Sequence, residues 1–223
     1  DSWKLLTSAD AAVLCLAVLL HDAGMHLKPN NFVELVEGKY SKYKLEPLDK
    51  ETWSELWDRF LAEVTRFSDR DLINLFGAPE HGKELPTFLR PQAGGLEEWL
   101  KNDDNKKVVG LFLRRHHPRL AHHIAVYGFP GATEKELKLV GPDSHYRELV
   151  GLIARSHGIP LRGTFDYLKK ENLGERIYNK VHHVYLMALL RVADYLQVES
   201  DRADAVTFSL TNIHTPQSRL EWR

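Results

Sequence analysis

The chain has 223 residues, of which 43% are hydrophobic and 27% are charged, and its formal net charge is -1. These values are ordinary for a globular protein and exclude a global field that would select nucleic acid or an acidic substrate. The single cysteine, Cys15, excludes an internal disulfide. Because it lies in an apolar helical run, we predict a buried free thiol, as suits a reducing, cytoplasmic setting.

The first predicted helix starts after an N-cap at Thr7 or Ser8 and stops at Gly24. Its apolar residues run almost all round, which predicts a central buried helix. The longest apolar run, 11–20, is too short to span a bilayer, and the features of a signal peptide are missing. We therefore predict no membrane association.

Further helices are predicted along the rest of the chain. A short helix at 30–38, capped at Asn30 or Asn31, precedes a loop at 39–49. The pattern is then helical over 50–76, where an aromatic stripe favours core packing over a stacking platform. Helices are also predicted at 96–100, 108–126, 145–157 and 177–198, with a mixed stretch at 164–175 and a lone strand at 205–210.

These elements predict an all-α fold, a helical bundle with long loops and at most a minor strand near the C-terminus. Gly and Pro residues mark loop insertions near 77–94 and 127–144. A single domain over 1–223 is the simplest organisation. We expect the chain to be part of a longer protein, since it has no starting Met and its last residues, 218–223, read as the start of a further segment.

Residue types that bind metals occur at four places, each in a helix or at its end. Buried carboxylates and imidazoles are costly without a partner, and a metal ion is one such partner. A helical bundle can point such residues at one shared site. Adjacent residues on a helix point about 100° apart, so at most one histidine of the 116–117 pair faces that site. The four places hold His21 with Asp22, His116 with His117, His157, and Asp194.

Simpler interpretations exist for single members of this set. Asp194 follows a strongly apolar run, and an ion pair with Arg191 or a solvent-facing stripe near Arg202 explains it equally well. His157 at a helix C-terminus is stabilised by the helix dipole without any further role. The order of the four places therefore carries more weight than any one of them.

Two segments in this order, LLHDAGM at 19–25 and LLRVADYLQVESDRAD at 189–204, resemble the HD superfamily of metal-dependent phosphohydrolases. The resemblance extends over 13–204. Within the superfamily, FLRRHHPRLAHHI at 112–124 followed by IARSHG at 153–158 is similar to the HD-CE type. That type is often found ahead of a GHKL-type ATPase domain in bacterial proteins, so the resemblance implies such a partner domain in the full-length chain.

The resemblance implies roles for individual residues. His21 and Asp22 are the metal-binding pair, with Asp22 able to bridge two ions. Asp194 matches the closing aspartate, and His157 matches one of the extra histidines of the two-metal branches. The family pattern begins with a further histidine on the preceding helix, and no histidine precedes His21 here. We expect that segment to have been lost from this chain; a natural loss would instead predict a weakened site.

The remaining assignments fall in the arginine- and histidine-rich run. His117 matches the other extra histidine, because it lies two positions after the second arginine of the RR pair, and His116 is the alternative. Arg114, Arg115 and Arg119 are candidates to hold substrate phosphate oxygens, as guanidinium groups do well. A solvated basic face is the competing interpretation of these arginines. The predicted catalytic residues are Asp22, His117 and Arg115.

Imidazole and carboxylate ligands suit Mn²⁺, Fe²⁺, Co²⁺, Ni²⁺ or Zn²⁺, with Mg²⁺ as a further candidate. One or two such ions would hold a phosphate and lower the pKa of a bound water. The prediction is a metal-dependent phosphohydrolase acting on a nucleotide or a single-stranded nucleic acid. Lys101, Lys106 and Lys107 would add to a basic groove for a strand.

Two alternatives stay open. In the first, the same pocket binds a nucleotide without turnover and regulates the attached ATPase domain. In the second, the domain is purely structural and its twelve histidines are incidental. Metal analysis combined with a substrate screen separates these alternatives from the hydrolase.

Overall fold

The computed structural model describes residues 6–77, 79, 84–86, 91, 94–132, 144–170 and 180–196. Helices make up the regular secondary structure of these ranges, which confirms the predicted all-α class. Short 3₁₀ turns follow α1 at Ala23–Met25 and α2 at Lys39–Lys42. The α-helices of the described ranges are α1 (Ser8–Leu20), α2 (Pro29–Val36), α3 (Trp53–Val64), α4 (Asp69–Phe76), α5 (Leu96–Trp99), α6 (Asp103–Tyr127), α7 (Ser144–Ser156), α8 (Leu161–Lys170) and α9 (His183–Leu196).

Some predicted features lie where the structure gives no description. The strand predicted at 205–210 is outside the described residues, as are much of the loop predicted at 77–94 and most of the loop at 127–144. The organisation of 1–223 as a single domain stays a prediction.

Several helix boundaries differ from the predicted ones for local reasons. The pattern at 50–76 is divided into α3 and α4, because Ser68 forms a capping box with Asp71 and starts a new helix. Helix α2 begins at Pro29 rather than after an asparagine cap, since proline is favoured at the first helical position. The mixed stretch at 164–175 overlaps α8, which the sequence pattern did not reveal.

Helix α1 is less buried than its composition predicts. Thr7 caps it in a capping box with Asp10, as expected for one of the two proposed caps. Val13 is buried and the helix packs against α7, but Leu19 is 75% exposed and Cys15 is also exposed. The prediction of a buried thiol is therefore wrong, because one face of the helix packs and the face that carries Cys15 does not.

One described segment, Ser8–Met25, has the length and composition of a helix that crosses a membrane. It consists of α1 and the 3₁₀ turn that follows. Val13 and Ala17 from this segment belong to a hydrophobic core shared with other helices. The core helix of a globular protein meets the same two criteria, so the segment does not by itself indicate a membrane span.

The chain divides into two units, and the predicted metal ligands all fall in the first. Unit 1 comprises Asp1–Ser54 and Leu113–Tyr195. Its hydrophobic core joins α1, α7, α8 and α9 with part of α6. Core side chains that are almost fully buried include Ala17, Ala121, Leu149, Leu152, Ile153, Leu168 and Leu186.

Unit 2 comprises Glu55–Phe112 and Leu196–Arg223, and its described part is organised around aromatic packing. The ring centroids of Trp57 and Phe112 lie 5.1 Å apart, and those of Phe60 and Phe112 lie 5.3 Å apart. All three rings are buried. The aromatic stripe of α3 is therefore core, as predicted.

A fully buried carboxylate, Asp49, joins several elements of unit 1. Its Oδ2 accepts a hydrogen bond of 2.7 Å from His123 Nε2. Its Oδ1 lies 2.7 Å from Arg155 Nη2 and 3.1 Å from Arg119 Nε. The indole Nε1 of Trp53 donates to His123 Nδ1 at 3.1 Å. Because an indole N–H only donates, the His123 proton must reside on Nε2, which faces Asp49.

We expect this network to make the fold sensitive to mild acid. Burial lowers the pKa of His123 to about 4, and the hydrogen bond to Asp49 offsets only part of that effect. The unfolded chain therefore takes up a proton below pH 6.5 that the folded chain resists. Stability that is present above pH 6.5 is lost as the pH falls, by up to about 3 kcal/mol at pH 4.

Asp49 extends this loss to lower pH. Burial raises its pKa, but the His123 hydrogen bond and the charges of Arg155 and Arg119 outweigh burial and hold the pKa well below its usual range. Urea unfolding at a series of pH values measures the effect. A free energy of unfolding that stays constant between pH 6.5 and 4, or a slope unchanged in His123→Asn, would contradict this account.

Candidate metal centre

Three side chains of ligand type converge in unit 1, one after α1, one in α6 and one after α7. The nitrogen and oxygen atoms that Asp22, His117 and His157 can offer all lie within 4.8 Å of one another. His117 Nε2 is 2.9 Å from His157 Nε2 and 3.3 Å from Asp22 Oδ1. Each residue is partly exposed, so the cluster is open to solvent.

His21 and Asp194 lie beside the other oxygen of Asp22. His21 Nε2 is 3.2 Å from Asp22 Oδ2 and 4.0 Å from Asp194 Oδ1. The rings of His21 and His157 make an edge contact with centroids 5.6 Å apart. The structure thus brings together five of the residues proposed as ligands, with Asp22 turned toward His117 on one side and His21 on the other.

The three histidines are oriented in the same way. In each, Nδ1 hydrogen-bonds the backbone carbonyl three residues earlier, at 2.6 or 2.7 Å. A carbonyl oxygen only accepts, so Nδ1 carries the proton and leaves a lone pair on Nε2. Histidines that bind metals usually have this arrangement. The pairs are His21 with Val18, His117 with Arg114, and His157 with Ala154.

These carbonyls are available because no helical N–H claims them. Helix α1 ends at Leu20 and α7 ends at Ser156, and the last carbonyls of a helix have no partner within it. The carbonyl of Arg114 lies inside α6, where the N–H of residue 118 would normally donate to it. That residue is Pro118, which has no N–H, and His117 Nδ1 takes its place.

Two glycines allow the flanking segments to approach α6. A Cβ built on Gly158 would lie 2.3 Å from Cγ of Pro118. A Cβ on Gly24 would lie 3.0 Å from Leu120 Cβ and 3.2 Å from the carbonyl oxygen of His117. Each glycine follows a proposed ligand by one or two residues, so a side chain at either position would push that ligand away from α6.

Contacts within the cluster set the charges of its members. The hydrogen bond with Asp22 raises the pKa of His21 to about 9, although burial opposes it. The same hydrogen bond lowers the pKa of Asp22. Burial lowers the pKa of His157. At neutral pH the cluster therefore offers an anionic oxygen from Asp22 and a neutral imidazole from His157.

This arrangement fits a divalent metal ion. Nε2 lone pairs of His117 and His157 that face each other at 2.9 Å require a proton or a cation between them. Two nitrogen ligands of one ion, each about 2.0–2.1 Å from it, are about 2.9–3.4 Å apart. Nitrogen and oxygen donors without a thiolate suit the first-row transition metals and Mg²⁺.

The structure distinguishes the two adjacent histidines of α6. The ring of His116 makes an edge contact with buried Trp53, with centroids 6.4 Å apart. His117 instead reaches Asp22 and His157. The geometry therefore favours His117, the histidine preferred from the sequence.

The arginines proposed to bind phosphate are placed differently from one another. Arg119 is 8% exposed, pairs with Asp49 and donates to two backbone carbonyls. The structure does not bring it to the cluster, because a residue two positions after His117 lies about 200° around the helix. Arg114 and Arg115 are exposed on α6.

Comparison with known proteins adds one family assignment. A family model described as HD-CE matches residues 2–223, a range that includes every member of the cluster. The curated proteins and the solved structures gave no match.

Proposed function

Because the chain belongs to the HD-CE family, we propose that it is a metal-dependent phosphohydrolase that cleaves a phosphate ester or phosphodiester of a nucleotide. One observation carries the proposal: the imidazoles of His117 and His157 direct unprotonated Nε2 atoms at the same point, beside the carboxylate of Asp22. Such a donor set is costly to leave unpartnered, and a cation satisfies it.

The residues of the chain account for the binding and orientation that this chemistry needs. Asp22, His117 and His157 would hold one divalent ion, and His21 and Asp194 would add donors for a second. When bound, such ions polarise phosphoryl oxygens and lower the pKa of water. The Nδ1 hydrogen bonds fix the histidine rings in advance.

The exposed arginines of α6 complete the proposed site. Arg114 and Arg115 precede His117 by three and two residues and are exposed. We propose that they bind the non-reacting phosphate oxygens of the substrate, since guanidinium matches phosphate geometry. Arg119 has no part in this proposal, because Asp49 and backbone carbonyls engage it.

The lysines of unit 2 favour a small nucleotide over a nucleic acid strand. Each of the three lysines considered for a basic groove pairs with an acidic residue three positions earlier. Such exposed pairs offset the positive charge that a strand would need. The pairs are Lys101 with Glu98, Lys106 with Asp103, and Lys107 with Asp104.

A substrate screen tests the proposal. The purified protein, loaded with Mn²⁺, Co²⁺ or Ni²⁺, is incubated with nucleotides, bis(p-nitrophenyl) phosphate and single-stranded DNA. We expect phosphate or nucleotide release that a chelator abolishes and that added metal restores. Release that persists in the presence of chelator, or in His157→Ala, would point to a contaminant.

The outcome also bears on the alternative function. Nucleotide binding without turnover would overturn the hydrolase and favour a module that regulates an attached GHKL-type ATPase domain. Neither binding nor turnover with any metal would leave a structural role. Equilibrium dialysis with the same nucleotides distinguishes these two results.

A further inference from the structure

The buried carboxylate Asp49 is outside the metal cluster, yet two of its partners neighbour the cluster's histidines in the chain. Arg119 follows His117 by two residues in α6, and Arg155 precedes His157 by two residues at the end of α7. Both guanidinium groups contact the same atom, Asp49 Oδ1. One side chain thus connects the two helices whose histidines must meet.

The charges make this connection specific. Arg119 and Arg155 are 8% and 7% exposed, so their charges have little access to solvent. Asp49 is 4% exposed and is the anion that both guanidinium groups contact. A neutral residue at this position would leave two buried cations facing each other, and their repulsion would favour separation of α6 from α7.

The backbone holds Asp49 in place for this role. The Leu45 N–H donates to Asp49 Oδ2 at 2.7 Å, and the Asp49 N–H donates to the Leu45 carbonyl at 2.9 Å. His123 of α6 donates to the same Oδ2. With both oxygens engaged, the carboxylate is fixed relative to both helices.

We propose that Asp49 is a positioning residue of the metal centre, which sets the separation of α6 and α7 and thereby the 2.9 Å approach of His117 to His157. This inference rests on the proposed metal-dependent function. Asp49 touches neither metal nor substrate in this account. It acts through Arg119 and Arg155.

Cobalt binding by Asp49→Asn tests the proposal. The substitution keeps the shape of the side chain and removes its charge. We expect Co²⁺ titration, followed by visible absorption, to show affinity about 10–100-fold below that of the wild type, the usual effect of losing an outer partner of a metal site. The absorption spectrum of the bound Co²⁺ should also change, because the two imidazoles are no longer held at the same separation.

Asp10→Asn is the matched control for lost stability. Asp10 is also fully buried, and its oxygens bind the backbone N–H and Nδ1 of His182 at 2.7 and 2.8 Å. Its described partners belong to neither α6 nor α7. We expect this variant to be destabilised while its Co²⁺ affinity stays within about twofold of the wild type, since distant sites act independently.

Two further measurements guard against simple unfolding of Asp49→Asn. Arg155→Lys keeps the charge but loses the forked geometry, and we expect an intermediate loss of Co²⁺ affinity in a folded protein. Histidine ring ¹H–¹⁵N spectra of metal-free protein report the Nδ1–H forms of His117 and His157. These signals should change in Asp49→Asn and stay unchanged in Asp10→Asn.

The possible failures are distinguishable. Wild-type Co²⁺ affinity and ring spectra in folded Asp49→Asn and Arg155→Lys would overturn the positioning role and leave the proposed function intact. Equal losses in Asp49→Asn and Asp10→Asn would reduce Asp49 to a general stabilising residue. Absence of Co²⁺ binding by the wild type would overturn the proposed function and this inference with it.

Discussion

Replacing Gly158 with alanine is expected to lower Co²⁺ affinity by at least about 100-fold, more than the loss of an outer partner of a metal site. The new Cβ would lie 2.3 Å from Cγ and 2.6 Å from Cβ of Pro118. Neither atom lies at the end of a flexible side chain, so the turn after α7 must move. His157 belongs to that turn and moves away from His117. Overpacking of this kind also costs about 1–3 kcal/mol of stability.

Gly163→Ala is the matched control for this substitution. Gly163 lies in α8, and the nearest atom to its added Cβ is Cγ2 of Ile159 at 3.4 Å, an ordinary contact. We expect unchanged Co²⁺ affinity and a gain of about 0.5–1 kcal/mol from the better helix former. Isothermal titration and thermal unfolding of both variants measure the contrast. Wild-type Co²⁺ affinity in Gly158→Ala would show that close packing on Pro118 is not required.

Asp22→Asn is expected to abolish hydrolysis and to weaken metal binding by at least about 100-fold. Asp22 directs one oxygen at His117 and the other at His21, at 3.3 and 3.2 Å. The amide has the same shape but lacks the negative charge, and its nitrogen cannot accept a hydrogen bond or bind a cation. Both proposed ion positions therefore lose a ligand through one substitution.

Asp104→Asn provides the comparison for Asp22→Asn. Asp104 pairs with Lys107 in α6 at 3.2 Å, and its side chain is 42% exposed. Exposed pairs contribute about 0–1 kcal/mol, so we expect little change in folding or activity. Initial rates of substrate release and metal content are measured for both variants. Activity in Asp22→Asn at more than a tenth of the wild-type rate would contradict the assigned role.

The sequence was sufficient to predict the helical class and the members of the cluster. Apolar periodicity predicted most helices, and the order of His21, Asp22, His117, His157 and Asp194 predicted a shared site. These inferences succeed because periodicity and motif order are local properties of the chain. The structure then selected His117 over His116 by the direction in which each side chain leaves α6.

The positioning network was not predictable in the same way. Asp49 lies at the end of a segment without periodic pattern, and nothing near it in sequence marks it as buried. Its partners Arg119 and Arg155 are 70 and more residues away, so only the fold shows that they meet. The assignment of Arg119 to phosphate binding followed from its position beside the histidines, without knowledge of its direction on the helix.

Three residues beside the proposed ligands carried a signal that motif order alone does not use. Gly24 and Gly158 follow the ligand positions closely, and Pro118 directly follows His117. Steric fit explains the glycines, and the missing N–H of proline explains the Nδ1 hydrogen bond of His117. The exposure of Cys15 shows the opposite failure, because a uniformly apolar helix does not reveal which face packs.

The metal content of the purified protein tests the central claim most directly. Wild type, His117→Ala and His157→Ala are dialysed against Co²⁺ and then against metal-free buffer, and bound cobalt is determined by mass spectrometry. The account predicts one or two ions per wild-type chain and a marked loss in both variants, with unchanged helical circular dichroism. Wild-type protein that retains no ion, or variants that retain as much as the wild type, would contradict it.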